Sequence, residues 1–264
     1  MCRHLAYLGP PRSLNELLLT PPHSLLRQSY APSDMRGGGT MNADGYGIGW
    51  YPAAVGEPVR QRRTCPMWAD EGLPGLARHV HTSGALAAVR SATVGMPVVE
   101  TAVAPFTAGR WLFSHNGVLP GWPDSVEPLA GTLSTRDLVT LEAPTDSALL
   151  WALVRAALAT GEDPVKVLTR LTHDVTAAEP AARLNLLLTD GEQIVGTAWY
   201  HALSVLPGDD FVAVSSEPWD DDPRWEPVPD RHLVTARLDA DGPRVALHPL
   251  ADDAVTPAEG STGP

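Results

Sequence analysis

The sequence predicts an α+β fold in which two antiparallel β-sheets are stacked and helices cover them on the outside. Short apolar segments typical of strands lie before and after a central pair of helices, so strands and helices do not alternate as in a doubly wound fold. The 26 prolines and 23 glycines provide many turns between short elements, and no internal repeat is present. The length of 264 residues suits one domain, which we expect over residues 2–251, followed by a disordered tail over residues 252–264.

The N-terminal quarter contains three predicted elements. Residues 3–8 have the apolar character of a first strand, and Ser13 with Glu16 forms a capping box that opens a helix. In residues 42–51 (NADGYGIGWY) glycines are spaced between large side chains, which is typical of a strand that another part of the chain approaches closely.

The next predicted elements are a helix over residues 71–81, a strand over residues 85–89 and a strand over residues 111–114. The last of these runs into Asn116-Gly117, a dipeptide that favours the type I′ turn of a β-hairpin. Asn116-Gly117 is therefore either a tight turn, a functional element, or both.

The C-terminal half begins with the clearest helix, capped at Thr145 or Asp146 and ended by Gly161. A second helix is expected over residues 164–177. Strand-like segments then follow at residues 184–188, 194–206 and 211–215, with a final hairpin that turns at Asp241-Gly242.

Charge and composition exclude several classes of function. The net charge of −12 opposes binding to nucleic acid, and Arg60, Arg62 and Arg63 are interpreted as a solvated strand face. No apolar segment approaches the roughly 20 residues of a membrane helix, and no secretory signal is evident. We expect a cytoplasmic protein without a membrane partner, whose Cys2 and Cys65 are reduced thiols.

Cys2 is the first candidate for chemistry. Removal of Met1 would place the thiol and a free α-amino group on the same residue. An α-amino group titrates near pH 7.7–8.0, roughly, so the amine can serve as the base for its own thiol. The alternative is that Cys2 is only a small buried residue near the chain start.

Five further residues suit a site for an α-amino acid. The Asn116 amide and the Gly117 N–H can stabilise an oxyanion, and Arg90 with Thr93 can hold a carboxylate. Asp146 can bind an ammonium group. The structural alternatives are a surface ion pair for Arg90 and a helix cap for Asp146.

Four segments in order resemble class II glutamine amidotransferase domains, which are N-terminal-nucleophile hydrolases: CRH at residues 2–4, VRSAT at 89–93, SHNG at 114–117 and PTDSALLW at 144–151. The likeness runs from residue 2 to about residue 220. It implies a four-layer α-β-β-α sandwich, with Cys2 as nucleophile and Asn116 and Gly117 as the oxyanion hole. It further implies that Arg90 and Thr93 hold the glutamyl carboxylate and Asp146 its ammonium, without a metal or an organic cofactor. The acidic residue that the family commonly has after the Asp-Ser pair is replaced by Ala148.

The resemblance also implies a reaction. No synthase segment follows the glutaminase-like part, so we expect hydrolysis of a small γ-glutamyl amide without an obligatory synthase partner. Segments such as MCRHLAYLG, NADGYGIGWY and SSEPWDDDP are similar to the γ-glutamyl hydrolases of ergothioneine biosynthesis, which release glutamate from γ-glutamyl hercynylcysteine sulfoxide. The alternatives are a glutaminase subunit, a hydrolase of glutathione-type peptides, and a non-catalytic γ-glutamyl binding module.

The acidic and aromatic segment from Trp219 to Trp225 has two interpretations. Carboxylates and aromatic faces can accept the trimethylammonium group that hercynine carries. Alternatively, the segment is a solvated acidic loop whose tryptophans anchor it to the core.

Overall fold

We describe the fold from a computed structural model, in which residues 2–36, 41–52 and 56–250 are described. The predicted tail at residues 252–264 lies outside this part of the chain. The described residues form thirteen strands and seven α-helices. Among them, no helix has the length and apolar character that crossing a membrane requires.

The helices fall into an N-terminal group and a central group. They are α1 (Leu14–Leu18), α2 (Leu25–Gln28), α3 (Leu73–His79), α4 (Glu127–Ala130), α5 (Thr135–Val139), α6 (Asp146–Ala159) and α7 (Pro164–Ala178). The predicted capping box of α1 is confirmed, since the Ser13 hydroxyl accepts from the Glu16 N–H and the Glu16 carboxylate accepts from the Ser13 N–H.

The strands form two antiparallel sheets. They are β1 (Arg3–Ser13), β2 (Tyr46–Trp50), β3 (Val59–Arg63), β4 (His81–Val89), β5 (Phe106–Ala108), β6 (Trp111–Val118), β7 (Arg183–Thr189), β8 (Gln193–Ala198), β9 (Ser204–Pro207), β10 (Val212–Ser215), β11 (Glu226–Pro227), β12 (His232–Asp239) and β13 (Gly242–Pro249). One sheet has the order β11-β9-β10-β1-β4-β2-β3 and the other β13-β12-β8-β7-β6-β5.

The two faces of β1 show how the layers are built. Successive side chains of a strand point to opposite faces, so Leu5 and Tyr7 pack with α1, α2 and α3, whereas Ala6 and Leu8 pack with the second sheet. On the far side of the second sheet, α6 and α7 pack against β6 and β7. The predicted four-layer α-β-β-α sandwich is confirmed.

Several element boundaries differ from the predictions. The first strand extends to Ser13 instead of residue 8, because its second half continues to pair with β4. The predicted strand at residues 194–206 is two strands, β8 and β9. The bounds of the central helices agree closely with the predictions. Thr145 is the N-cap of α6, and Gly161 follows the end of this helix with a φ of 81°.

The glycine-rich strand β2 is closely approached by the chain, as predicted. A Cβ atom at Gly47 would overlap the carbonyl oxygen of Ala104, so no side chain fits there. By contrast, the interpretation of Arg60 and Arg62 as a solvated face is wrong. Both guanidinium groups form ion pairs with Glu142, at 3.2 and 2.8 Å, and the Arg62 side chain is only 11% exposed.

Candidate active site

The strand order brings Cys2 next to the end of β4. Cys2 directly precedes β1, and Arg3 of β1 pairs with Val89, the last residue of β4. The segment that begins at Arg90 therefore passes beside the thiol, whose Sγ lies 3.8 Å from the Ser91 carbonyl oxygen. Cys2 is half-buried, and it is a free thiol like Cys65.

Five of the six predicted site residues line one cleft, although they are distant in sequence. These are Cys2, Arg90, Thr93, Gly117 and Asp146. The remaining lining residues are Ser91, Ala92, Met96, Ala102, His115, Thr145 and Ser147. Residues that carry a thiol, a guanidinium, a hydroxyl and a carboxylate thus meet with a glycine around one small volume.

The sixth residue, Asn116, lines an adjoining cleft together with Arg3, Asp34, His201 and neighbouring residues. Its side chain is 1% exposed, and neither amide atom has a hydrogen-bond partner among the described residues. A buried amide without a partner is costly, so this group is a candidate for binding a ligand atom.

The expectation of a type I′ turn at Asn116-Gly117 is wrong. Both residues belong to β6, where Asn116 pairs with Asn185 and Gly117 with Leu184. A Cβ atom at position 117 would overlap the carbonyl oxygen of Arg183 and Nε2 of His115. Glycine is therefore required here by the close approach of β7 and not by a turn.

The segment that carries Arg90 is held by Asp44. The Asp44 N–H donates to the Arg90 carbonyl at 3.0 Å, and the Asp44 carboxylate accepts from the Ala92 N–H at 2.7 Å. The Arg90 guanidinium donates to the Pro97 carbonyl at 2.9 Å and forms no ion pair with the described residues. The surface ion pair considered for Arg90 is therefore absent from the described part of the chain, while Thr93 is exposed at the cleft.

The carboxylate of Asp146 is buried and fixed. It accepts from the Leu119 N–H at 3.2 Å and from the Ser147 N–H at 2.6 Å, and Asp146 is 6% exposed. Thr145 caps the helix, because its hydroxyl accepts from the Ala148 N–H. Asp146 is therefore the first helical residue and not the cap.

A hydrogen-bonded chain continues from Ser147 to His115. The Ser147 hydroxyl lies 3.0 Å from Nδ1 of His115, and Nε2 of His115 lies 2.9 Å from the Arg183 carbonyl. Because a carbonyl only accepts, Nε2 carries a proton. Ala148, where the sequence departs from the family pattern, is 2% exposed and packs in the core under α6, away from the cleft.

Two buried histidines lie beneath the site. Nδ1 of His4 is 3.1 Å from the Ser114 hydroxyl, and burial, assisted by the nearby His115, lowers the pKa of His4 to about 3. Burial and the charge of Arg183 likewise lower the pKa of His201 to about 3. Both imidazoles are therefore neutral at neutral pH.

Arg3 connects the start of β1 to two other segments. Its guanidinium donates to the Cys2 carbonyl at 2.9 Å, to the Asp34 carbonyl, and to Glu217 at 2.8 Å. The second oxygen of Glu217 accepts from the Ser33 N–H at 2.7 Å. Arg3 and Glu217 are both nearly fully buried.

Sequence reasoning missed Asp44, His115, Ser147, His201 and Glu217. His115 lies within the SHNG segment and Asp44 within NADGYG, so both were inside recognised segments without an assigned role. Glu217 lies within SSEPWDDDP without an assigned role, and His201 has no local signal; only the sheet order brings the two to Arg3 and Asn116.

The chain is similar to known amidotransferases and hydrolases. Class II glutamine amidotransferases match residues 26–206 of the chain. The chain is 44% identical over 237 residues to the gamma-glutamyl-hercynylcysteine sulfoxide hydrolase of Mycolicibacterium smegmatis, covering 90% of this chain and 96% of that protein. The hydrolase of the same name from Mycobacterium tuberculosis is 43% identical, with 89% and 92% covered.

A solved structure shows the same fold. The glutamine aminotransferase class-II domain protein of Silicibacter pomeroyi superposes with a TM-score of 0.65 at 24% identity, covering 95% of this chain and all of that one.

Proposed function

Because the chain belongs to the class II glutamine amidotransferase family, we propose that it hydrolyses a γ-glutamyl amide bond with Cys2 as nucleophile. The observation that carries this proposal is the single cleft shared by Cys2, Arg90, Thr93, Gly117 and Asp146. Relatives at 43–44% identity are named gamma-glutamyl-hercynylcysteine sulfoxide hydrolase, which supports this compound as the substrate.

The cleft suits the glutamyl head group. The Arg90 guanidinium and the Thr93 hydroxyl bind the α-carboxylate, because a planar guanidinium matches a carboxylate in charge and shape. Asp146 binds the α-ammonium. Its carboxylate is held by backbone donors at Leu119 and Ser147, so it needs no rearrangement to receive the substrate.

Hydrolysis then proceeds through a thioester. With Met1 removed, the α-amine of Cys2 takes the thiol proton, and Sγ attacks the γ-carbonyl carbon. The Asn116 amide and the Gly117 N–H stabilise the oxyanion; losing one such donor typically costs about 10²–10³ in turnover. The ammonium returns its proton to the leaving amine as the C–N bond breaks. The amine next activates water, which cleaves the thioester and releases glutamate.

This chemistry needs a reduced thiol and a free α-amine. We therefore place the reaction in the cytoplasm, where thiols remain reduced. No synthase partner takes part, because water accepts the glutamyl group and the amine leaves as product.

The test is glutamate release from three substrates in parallel: γ-glutamyl hercynylcysteine sulfoxide, glutathione and glutamine. Intact mass establishes that Met1 is absent. We expect release from the sulfoxide in preference to the other two, complete loss in Cys2→Ala, and full activity in the matched control Cys65→Ala. Preference for glutamine or glutathione would overturn the substrate, and activity retained by Cys2→Ala would overturn the mechanism.

A further inference from the structure

A second cavity lies on the far side of Arg3 from the cleft. It has a volume of about 700 Å³, within the roughly 300–1,000 Å³ of ligand pockets. Its walls come from four parts of the chain: His23, residues 33–35, Ala202 with Ser204, and the segment after β10 from Ser216 to Trp225.

The cavity adjoins the oxyanion side of the active site, and the cleft between them is too narrow for a water molecule. The narrow cleft that contains Asn116 shares Asp34, Ala202 and Ser216 with the cavity wall. His201 lines this cleft, is 5% exposed, and has no hydrogen-bond partner for Nδ1 among the described residues. A buried, unpartnered ring nitrogen beside Asn116 is a candidate for hydrogen bonding to a polar ligand. The leaving group of a substrate bound at Cys2 would reach the cavity across the wall that the cavity shares with this cleft.

The walls of the cavity carry excess negative charge. Three of its acidic residues have cationic partners, since Glu217 pairs with Arg3, Asp222 with Arg224, and Asp34 with Arg36. Asp220 and Asp221 have no Arg or Lys partner among the described residues. The nearest basic group to Asp221 is His23 at 3.3 Å, and the Asp221 side chain is 90% exposed.

Asp220 organises an aromatic pair. Its two carboxylate oxygens accept from the indole N–H groups of Trp219 and Trp225, both at 2.8 Å, and one oxygen also accepts from the Asp222 N–H. The two rings meet edge to face at 5.4 Å, with Trp219 buried and Trp225 in the cavity wall.

This arrangement selects the type of cation. The oxygens of Asp220 already accept from N–H donors. Its carboxylate can therefore attract a cation by charge but has few free positions to accept further hydrogen bonds. No group of three potential metal ligands exists in the described chain. A quaternary ammonium donates no hydrogen bonds and is bound by charge and aromatic surface, so it matches Asp220 and Trp225, while the exposed Asp221 adds negative charge to the same wall.

We propose that this cavity recognises the leaving group of the substrate through its quaternary ammonium, with Trp225 and Asp221 as the contacting residues. The inference rests on the proposed function, since hercynine is the trimethylammonium betaine of histidine. It adds to that function by assigning specificity for the leaving group to residues outside the cleft that binds the glutamyl head.

Calorimetric titration of the Met1-free protein with hercynine and with histidine tests the cavity without any turnover. We expect hercynine to bind at least about tenfold more tightly, because one cation–π contact in a desolvated site contributes about 1–2 kcal/mol. Trp225→Ala and Asp221→Asn should each weaken hercynine binding about tenfold. Asp241→Asn, which removes the same charge at a distant turn, should leave it unchanged.

Kinetics separate this inference from the proposed function. With the sulfoxide, Asp221→Asn should raise KM with little change in kcat, while turnover of γ-glutamyl-p-nitroanilide, whose leaving group is neutral, should not change. Equal binding of histidine and hercynine, or binding unaffected by both variants, would overturn the cavity assignment even if hydrolysis is found. Selective hercynine binding by a protein without hydrolase activity would overturn the proposed function and leave the cavity assignment standing.

Discussion

Gly117 lies where the backbone of β7 comes so close to β6 that a Cβ atom would overlap the Arg183 carbonyl oxygen. The dipeptide Asn116-Gly117 has a strong local preference for a hairpin turn, yet β7 pairs through both residues and keeps them in a strand. Long-range pairing overrides the local signal, and no single-sequence pattern reveals it. The need for glycine arises from the Arg183 carbonyl, which approaches too closely for a side chain.

Gly117→Ala is expected to lower both stability and activity. Overpacking of this kind costs about 1–3 kcal/mol of the free energy of unfolding, and the shift of β6 would misplace Asn116. Urea unfolding and steady-state kinetics measure the two effects. Gly75→Ala is the control, because nothing lies within 4 Å of a Cβ there and Gly75 is inside α3. It should gain up to about 1 kcal/mol. Equal behaviour of the two variants would contradict this account.

At the scale of elements, the local signals along the chain are reliable where helices are capped and strands are flanked by turns. The capping box of α1 and the cap of α6 occur where the residues predict them, and the last hairpin turns at Ala240-Asp241, one residue before the predicted dipeptide. The Arg3–Glu217 pair is different. It joins the start of β1 to the segment after β10, and its partners are 214 residues apart in sequence.

Glu217→Gln is expected to cost about 3–5 kcal/mol of unfolding free energy, as breaking a buried ion pair does. Both carboxylate oxygens accept from donors, Arg3 and the Ser33 N–H, so the amide nitrogen of glutamine would face a donor in either orientation. Turnover should also fall, because Arg3 holds the Cys2 carbonyl.

The control for that variant is Glu192→Gln, which removes a charge from the exposed pair with Arg110. Surface pairs contribute about 0–1 kcal/mol, so this change should be nearly neutral in urea unfolding. If Glu217→Gln were as mild as the control, the structural importance of the buried pair would be disproved.

At the scale of the whole molecule, the sequence predicts the layers better than the order of strands. Alternating side chains in β1 and the apolar face of α6 indicate what each element buries. The placement of β1 between β10 and β4 depends on contacts between distant segments, and the cavity beside Arg3 exists only because of that order. The sequence predicts an acidic and aromatic segment from Trp219 to Trp225, but it cannot predict the volume of the cavity or its place beside the active site.

The protein as a whole should lose stability as the pH falls from 7 to 5. His4 and His201 have pKa values near 3 when folded and near 6.5 when exposed by unfolding. Between these values the unfolded chain binds more protons, so the free energy of unfolding decreases as the pH falls. The slope approaches about 1.4 kcal/mol per pH unit for each histidine.

Urea midpoints at pH 7, 6 and 5 measure this slope. Either His4→Asn or His201→Asn should make it shallower, and the exposed His248→Gln should not. A midpoint that stays constant from pH 7 to 5 would show that these histidines are protonated in the folded protein.

The central position of β1 also determines how the protein can be handled. Chain ends usually fray and tolerate added sequence. Here the strand that follows Cys2 pairs with β10 on one edge and with β4 on the other. It cannot detach without breaking the hydrogen bonds to both strands. An affinity tag fused ahead of Cys2 would convert its α-amine, the proposed base, into an amide. The paired strand behind it could not shift to make room for the tag. Tags, fluorescent fusions and surface tethers therefore belong at the other end of the chain.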